Sequence, residues 1–258
     1  MASSDSGSEE GAKPPSAQDN PDSALTAPPA DNNRFIPLTA EAMRLYWALS
    51  GPLNTSVWVM AEPFYNPDAP LEPYIREGSG AGASELHPVS QAPLTEPKIT
   101  SATVSVDVLD EWEMLWVEMH DRHWDGPGED WEPHEKVVRY GTLPGREPEY
   151  EGFPGREHLL RCCGIDRPLN KAATLVVEAN GEFLTVHDFV SAVHPWLLGL
   201  REDILAASGC LLDDKPLPQD TKLMVYYPEP RSLLVVDEET WKVRRKEHPL
   251  FSLLASMS

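Results

Sequence analysis

Basic side chains are scarce in this sequence: 21 Lys and Arg stand against 42 Asp and Glu, a formal net charge of -21 over 258 residues. A chain this acidic repels a phosphate backbone, which argues against nucleic acid as a partner. A basic protein or peptide is the easier companion, although acidity also serves solubility alone. Long apolar runs are lacking too. No stretch reaches the roughly 18 apolar residues of a membrane span, and the apolar C-terminal PLFSLLASMS is too short for one. Only three cysteines occur, Cys162, Cys163 and Cys210, with neither a disulfide framework nor zinc spacing between them. The N-terminus has no basic region followed by an apolar one, and it is not the Arg-rich, acid-poor pattern of a transit peptide. These features fit a reducing compartment, cytosol or nucleus. Missing as well are GxxxxGK[ST], a GxGxxG after a strand, GxSxG and HExxH, so no cofactor, resident metal or catalytic motif is expected.

What is present is uneven. Hydrophobic residues make up 41% of the chain, and 26 prolines break it into segments. Residues 1–33 are almost devoid of large apolar side chains and read as a disordered acidic tail. Residues 34–60 read as a short helix from Thr39 to Leu49 and a strand at Val57–Met60, packed on the main domain. A Pro- and Gly-rich surface loop follows over 61–98. The main domain spans 99–248, with 249–258 as a tail. Within it, Thr103–Val108 alternates as a strand. Asp110 and Glu113 then open a helix with the stripe Trp112, Leu115, Trp116 and Met119; a strand with Trp112, Met114 and Trp116 on one side is the alternative. Thr174–Ala179 is a strand, Asn180-Gly181 a hairpin turn, and Phe183–Thr185 the start of a return strand. Val186, Phe189, Val190, Val193, Leu197, Leu200 and Ile204 form an amphipathic stripe, capped by Thr185 with Asp188. Pro195 either kinks that helix or starts a second. Strands are expected at Lys222–Tyr227, at Ser232–Val236 and around Trp241 and Val243. The fold class is therefore α+β: an antiparallel or mixed sheet with one main amphipathic helix on a face, a disordered N-terminal tail and long Pro-rich loops.

Residues 107–135 are the compositional outlier, with Arg122 alone against a row of carboxylates. Four of the eight tryptophans, Trp112, Trp116, Trp124 and Trp131, lie there. Together with Glu118, Asp121 and Asp125 they are the candidate surface for a basic partner, since indoles anchor interfaces and carboxylates steer cations. The alternative is that Trp112 and Trp116 are core on one helix face. His120 and His123, three residues apart, offer a shared ion only weakly without a third ligand. Cys162-Cys163, with His158, His187 or His194 as base, lacks any cysteine-protease signature and reads as buried thiols. Pro144-Gly145-Arg146-Glu147 recurs as Pro154-Gly155-Arg156-Glu157, a duplicated turn with glycine at positive φ. Lys242-Val243-Arg244-Arg245-Lys246 reads as counter-charge to the acidic segment or as a weak nuclear address.

The run Leu175-Val176-Val177, Asn180-Gly181, Thr185-Val186-His187-Asp188-Phe189-Val190 and Trp196-Leu197-Leu198 resembles a domain family found in fungi that has no assigned function. The likeness covers residues 168–206 best and 86–245 more loosely. Residues 107–135 and the doubled turn depart from it. What the resemblance implies is a small α+β domain and a fungal source; it brings no catalytic residues. Two functions follow from the residues themselves. One is a non-enzymatic interaction module with an acidic, Trp-rich surface. The other is a hydrolase or other enzyme with a dispersed site among His120, His123, His187, His194 and nearby carboxylates. Replacing Trp124 and Trp131 by alanine separates docking from packing: an unchanged melting temperature with lost partner capture marks a surface, and a large loss of stability marks core.

Overall fold

A computed structural model describes residues 35–77, 84–121, 137–152, 154–213, 215–227 and 229–246, all within one unit that begins at Phe35. The tails 1–33 and 249–258 lie outside them. The first correction concerns the helix expected from Thr39. Only Ala42–Arg44 is helical, as a 3-10 turn, and the chain then extends into strand β1 (Leu45–Trp47). Thr39 does cap the turn, its Oγ1 accepting from the Ala42 N–H at 3.2 Å. Leu45, Tyr46 and Trp47 are all buried, between partners on both sides, a placement that suits an extended chain and not the one-sided stripe of a surface helix. After Gly51, at a φ of +73°, one helical turn α1 (Leu53–Ser56) leads back through β2 (Val57–Val59), antiparallel to β1.

The segment 61–98 is less of a surface loop than its prolines suggest. It contains β3 (Glu72–Pro73) paired to β2, the ribbon β4 (Ile75–Glu77) and β5 (Ser84–Leu86), and a 3-10 turn at Pro88–Gln91. Tyr74, Val89 and Leu94 from this stretch are buried in the main core. Proline lowers the entropy lost on ordering such a segment, so a few apolar anchors suffice to fix it.

Strand β6 (Ser101–Val106) buries Ala102, Val104 and Val106, and helix α2 (Asp107–Asp121) follows without a loop, starting three residues before the expected Asp110. A small antiparallel sheet comes next, made of β7 (Arg139–Gly141), β8 (His158–Cys162) and β9 (Ile165–Asp166). The doubled turns precede β8, with Gly145 and Gly155 both at a φ of +79°, as the Pro-Gly pairs require. Then come β10 (Thr174–Glu178), α3 (Val186–Gly199), α4 (Arg201–Asp213), β11 (Leu223–Tyr226), β12 (Ser232–Asp237) and α5 (Glu238–Lys246). The main sheet runs β10-β6-β12-β11, with β12 parallel to β6 and the other pairs antiparallel. The architecture is α+β with a mixed sheet.

The hairpin expected at Asn180-Gly181 is absent: β10 pairs with β6, and Leu184 donates instead to Ile99 O at 2.7 Å. The Asn180 amide donates to Asp188 Oδ1 at 2.5 Å, so its side chain braces the start of α3. That start is the capping box read from sequence, Thr185 and Asp188 each satisfying the other's backbone N–H. Val186, Phe189, Val190, Val193 and Leu197 of α3 are fully buried, as is Ile204 of α4. Pro195 lies inside α3; the break falls at Leu200, so the stripe belongs to two helices. The last expected strand is also helical. Asp237 caps α5 by accepting from the Thr240 N–H at 3.0 Å, with Glu238 and Glu239 in its first turn and Arg244, Arg245 and Lys246 in its last. Those charges complement the helix dipole. Arg245 turns inward, its guanidinium 5.3 Å from the Trp241 ring and 5.5 Å from that of Tyr226.

At the centre lies Trp47. Its ring meets Phe189 and Tyr227 edge-on, at 6.4 and 5.8 Å between centroids, and its indole N–H donates to His194 Nδ1 at 2.9 Å. A polar brace joins the two ends of the fold. Tyr46 OH donates to Glu238 Oε1 at 2.6 Å, and Lys222 Nζ reaches both, at 2.9 and 2.8 Å. Burial pushes the Glu238 carboxyl up, but the hydrogen bonds from Lys222 and Tyr46 outweigh it and hold the group down at about 2, against an ordinary 4.5. The unfolded chain therefore binds this proton first as acid is added. The brace contributes fully above pH 4.5, and its contribution is lost as pH falls to about 2. The melting-temperature gap between wild type and Glu238→Gln is expected to be widest above that window and to close through it; a gap independent of pH contradicts the brace.

Candidate functional site: the two flanks of helix α2

Side chains three and four residues apart share a helix flank, so α2 presents two distinct rows. One row is Leu109, Glu113, Trp116 and His120; the other is Val108, Glu111, Leu115 and Glu118. The first row is inward. Leu109, Trp116 and His120 are buried, and Trp116 packs with Tyr150, Leu159, Cys162 and Cys210. Trp116 is only 1% exposed, which removes it from the surface set and supports the core reading for that residue. The Glu and Asp positions around it are local and outward-facing, whereas its own flank meets α4 and the small sheet, a contact no local pattern announces. Trp112 is half-buried, with Lys171 Nζ 5.9 Å from its ring centre. Glu118 and Asp121 are exposed, Asp121 accepting from Tyr150 OH at 3.1 Å. Trp124, Asp125 and Trp131, with His123 and His134, lie outside the described residues.

An ion cluster fastens this flank to the small sheet. Arg167 is buried and donates from Nε to Glu113 at 2.7 Å, from Nη1 to Glu149 at 2.9 Å and to Leu159 O at 3.2 Å. Arg146, from the first Pro-Gly-Arg-Glu turn, also binds Glu113 through both carboxylate oxygens. Burial pushes the Glu113 carboxyl up, and the two guanidiniums outweigh it to leave the group below its usual range. In the second turn Glu157 accepts from the Gly155 N–H at 2.9 Å and from Thr142.

Val108, Glu111 and Leu115 of the second row line a groove of about 500 Å³. Its other walls are the outer face of β12, with Leu234 and Val236, then Leu217, and Thr240 and Arg244 of α5. Val108, Leu115, Leu217, Leu234 and Val236 are only half-buried, so the floor is apolar and reachable. Asp107, Glu111 and Asp237 stand at the rim against a single cation, Arg244. Asp107 accepts from Ser232 and Asp237 is committed to its cap, which leaves exposed Glu111 as the outermost acid. Sequence reading missed Leu217, Leu234 and Val236. The signal was available in Leu233-Leu234-Val235-Val236, a strand apolar on both faces whose outer face needs cover.

Below the inner flank, a ring nitrogen of His120 and the sulfurs of Cys162 and Cys163 lie within 4.8 Å of one another. His120 comes from the last turn of α2 and the cysteines from the β8–β9 hairpin, so among the described residues these could hold a metal ion. Of the histidines proposed for a dispersed enzyme site, His120 alone belongs to this cluster among the described residues; His187 and His194 have other surroundings. His194 accepts from Trp47 and its Nε2 donates to Gly51 O at 3.0 Å, and burial lowers its pKa. His187 stacks on Tyr74 at 6.3 Å. His158 sits between Leu143 N and Glu147 O. No protein-family model, no curated protein and no solved structure matches this chain. Among the described residues no helix is long and apolar enough to cross a membrane.

Removing Arg167 leaves two carboxylates facing a buried gap, and breaking such a pair costs about 3 kcal/mol. Arg167→Ala is expected to lower the denaturant midpoint accordingly, and an unchanged midpoint would show that the cluster only decorates the surface.

Proposed function

We propose that this protein is a non-enzymatic interaction module whose groove between α2 and α5 takes a basic, amphipathic peptide segment of a partner protein. The observation that carries the reading is the pairing of a half-buried apolar floor with an acidic rim in one concave surface. Apolar side chains of the visitor would cover Leu115, Leu234 and Val236, while its Lys or Arg side chains approach Glu111, and Glu118 one turn further along the same row. The net charge of -21 favours the encounter at a distance. The acidic surface of the sequence reading thus keeps its helix, while the acids at the groove become Asp107, Glu111 and Asp237 and the apolar anchor on α2 becomes Leu115 instead of Trp116. The resemblance proposed for residues 168–206 carries no activity, so the groove alone supports this reading. Cytosol or nucleus is the proposed location, where basic peptide segments are accessible and the thiols at Cys162 and Cys163 stay reduced.

Selection of binders from a random peptide library against the whole chain tests the reading. Selected peptides are expected to carry several Lys or Arg among apolar residues, and to bind more weakly as salt rises. Leu115→Lys with Glu111→Lys is expected to weaken them about 30-fold, the scale of a lost interface hot spot, without lowering the melting temperature. Peptides without basic residues, or indifferent to both substitutions, would sink the proposal.

A further inference from the structure

The thiol–imidazole cluster is built by a costly backbone. Cys162 pairs with Ile165 across β8 and β9, which leaves Cys163 and Gly164 as a two-residue turn. Both have positive φ, 53° and 81°. A turn with both central residues in the left-handed region is the tight hairpin geometry that favours Asn or Gly at its first position, and here a cysteine takes it. The result is functional in shape. Neighbouring side chains on a strand point to opposite faces, whereas this turn brings Cys162 and Cys163 together with their sulfurs 3.8 Å apart. Two thiolates bound at about 2.3 Å to one tetrahedral ion stand about 3.8 Å from each other.

The imidazole is prepared in the same sense. His120 Nδ1 lies 2.7 Å from Trp116 O, an acceptor, so this nitrogen carries the proton and donates it. In the neutral ring Nε2 then holds the lone pair. A histidine ligand whose second nitrogen donates to a backbone carbonyl is the usual way a protein fixes the tautomer for a metal. The ring is further held by stacking on Trp116, 4.4 Å between centroids.

We infer that His120 Nε2 and the Cys162 and Cys163 thiolates form a zinc site. Two thiolates and one imidazole suit a borderline-soft ion that prefers four-coordinate tetrahedral geometry, and their two negative charges neutralise Zn²⁺ in a largely buried place. Three protein donors leave one position for water or a further ligand. The site ties the last turn of α2, where the acidic segment continues, to a hairpin more than forty residues later, a link that binding energy converts into folding energy. Sequence spacing hid it, because one ligand is remote and the other two are adjacent, a pattern outside the paired-cysteine motifs.

Elemental analysis of the full chain, purified without a histidine tag and without chelator, is expected to find about one zinc per chain. Cobalt(II) added to the metal-stripped chain is expected to give thiolate-to-metal charge-transfer absorption, diminished in Cys163→Ser. That variant changes an exposed residue, so it retains the fold, and its zinc affinity is expected to fall about tenfold or more in chelator competition. Chelation should also lower the wild-type melting temperature by at least about 4 °C while leaving Cys162→Ser/Cys163→Ser unaffected. Absence of zinc with no charge-transfer band overturns the site. So does zinc retained by the double variant, a different metal in stoichiometric amount, or a Cys162–Cys163 disulfide in protein kept under reductant.

Discussion

The indole N–H of Trp47 is satisfied by His194. Both residues are buried, and a buried donor left without an acceptor costs on the order of 1–3 kcal/mol. His194 accepts at Nδ1 and passes its own proton at Nε2 to Gly51 O, closing a chain that runs from β1 through α3 and back to the turn after β1. The constraint reaches outward from there. With Trp47 fixed, Phe189 and Tyr227 have defined edges to pack against, and α3 is held over the sheet. Tyr227 OH then reaches Ala42 O at 2.7 Å, which locks the short 3-10 turn that the Thr39 cap begins.

Helix α2 divides the molecule's chemistry because its two flanks meet different surroundings. Towards the small sheet, charge is buried and must be matched, so Glu113 sits among guanidiniums. Towards β12 and α5 the helix touches only the start of the strand, where Asp107 accepts from Ser232, and beyond it Val108, Leu115, Leu234 and Val236 stay half-buried along the groove. One acidic helix thus serves both as a strut and as one bank of a channel. Its net charge alone does not distinguish the two uses.

Local features were the legible ones. The Thr185–Asp188 box, the alternation in β6 and the positive φ at Gly145 and Gly155 each depend on residues within a few positions. Features decided at a distance were misread. Leu45-Tyr46-Trp47 became strand because β2 and the core lie on either side of it. Asn180 spent its side chain on Asp188 instead of on a tight turn. Trp241 and Arg245, four residues apart, share the buried face of a helix where alternation had suggested a strand. The groove is assembled from positions between 107 and 244, and no window of sequence contains it.

Strand β12 follows β6 at a long distance in sequence yet occupies an interior position of the main sheet, between β6 and β11. Some 125 residues of intervening chain must therefore be accommodated before the parallel pairing of Ser232 with Ser105 can form, a loop closure that slows folding. Until that moment β6 offers an open edge to any extended neighbour. A nascent chain thus waits on a strand made long after β6, and protection from aggregation during synthesis has to come from elsewhere; the abundant negative charge, keeping unfinished copies apart, is suited to that duty.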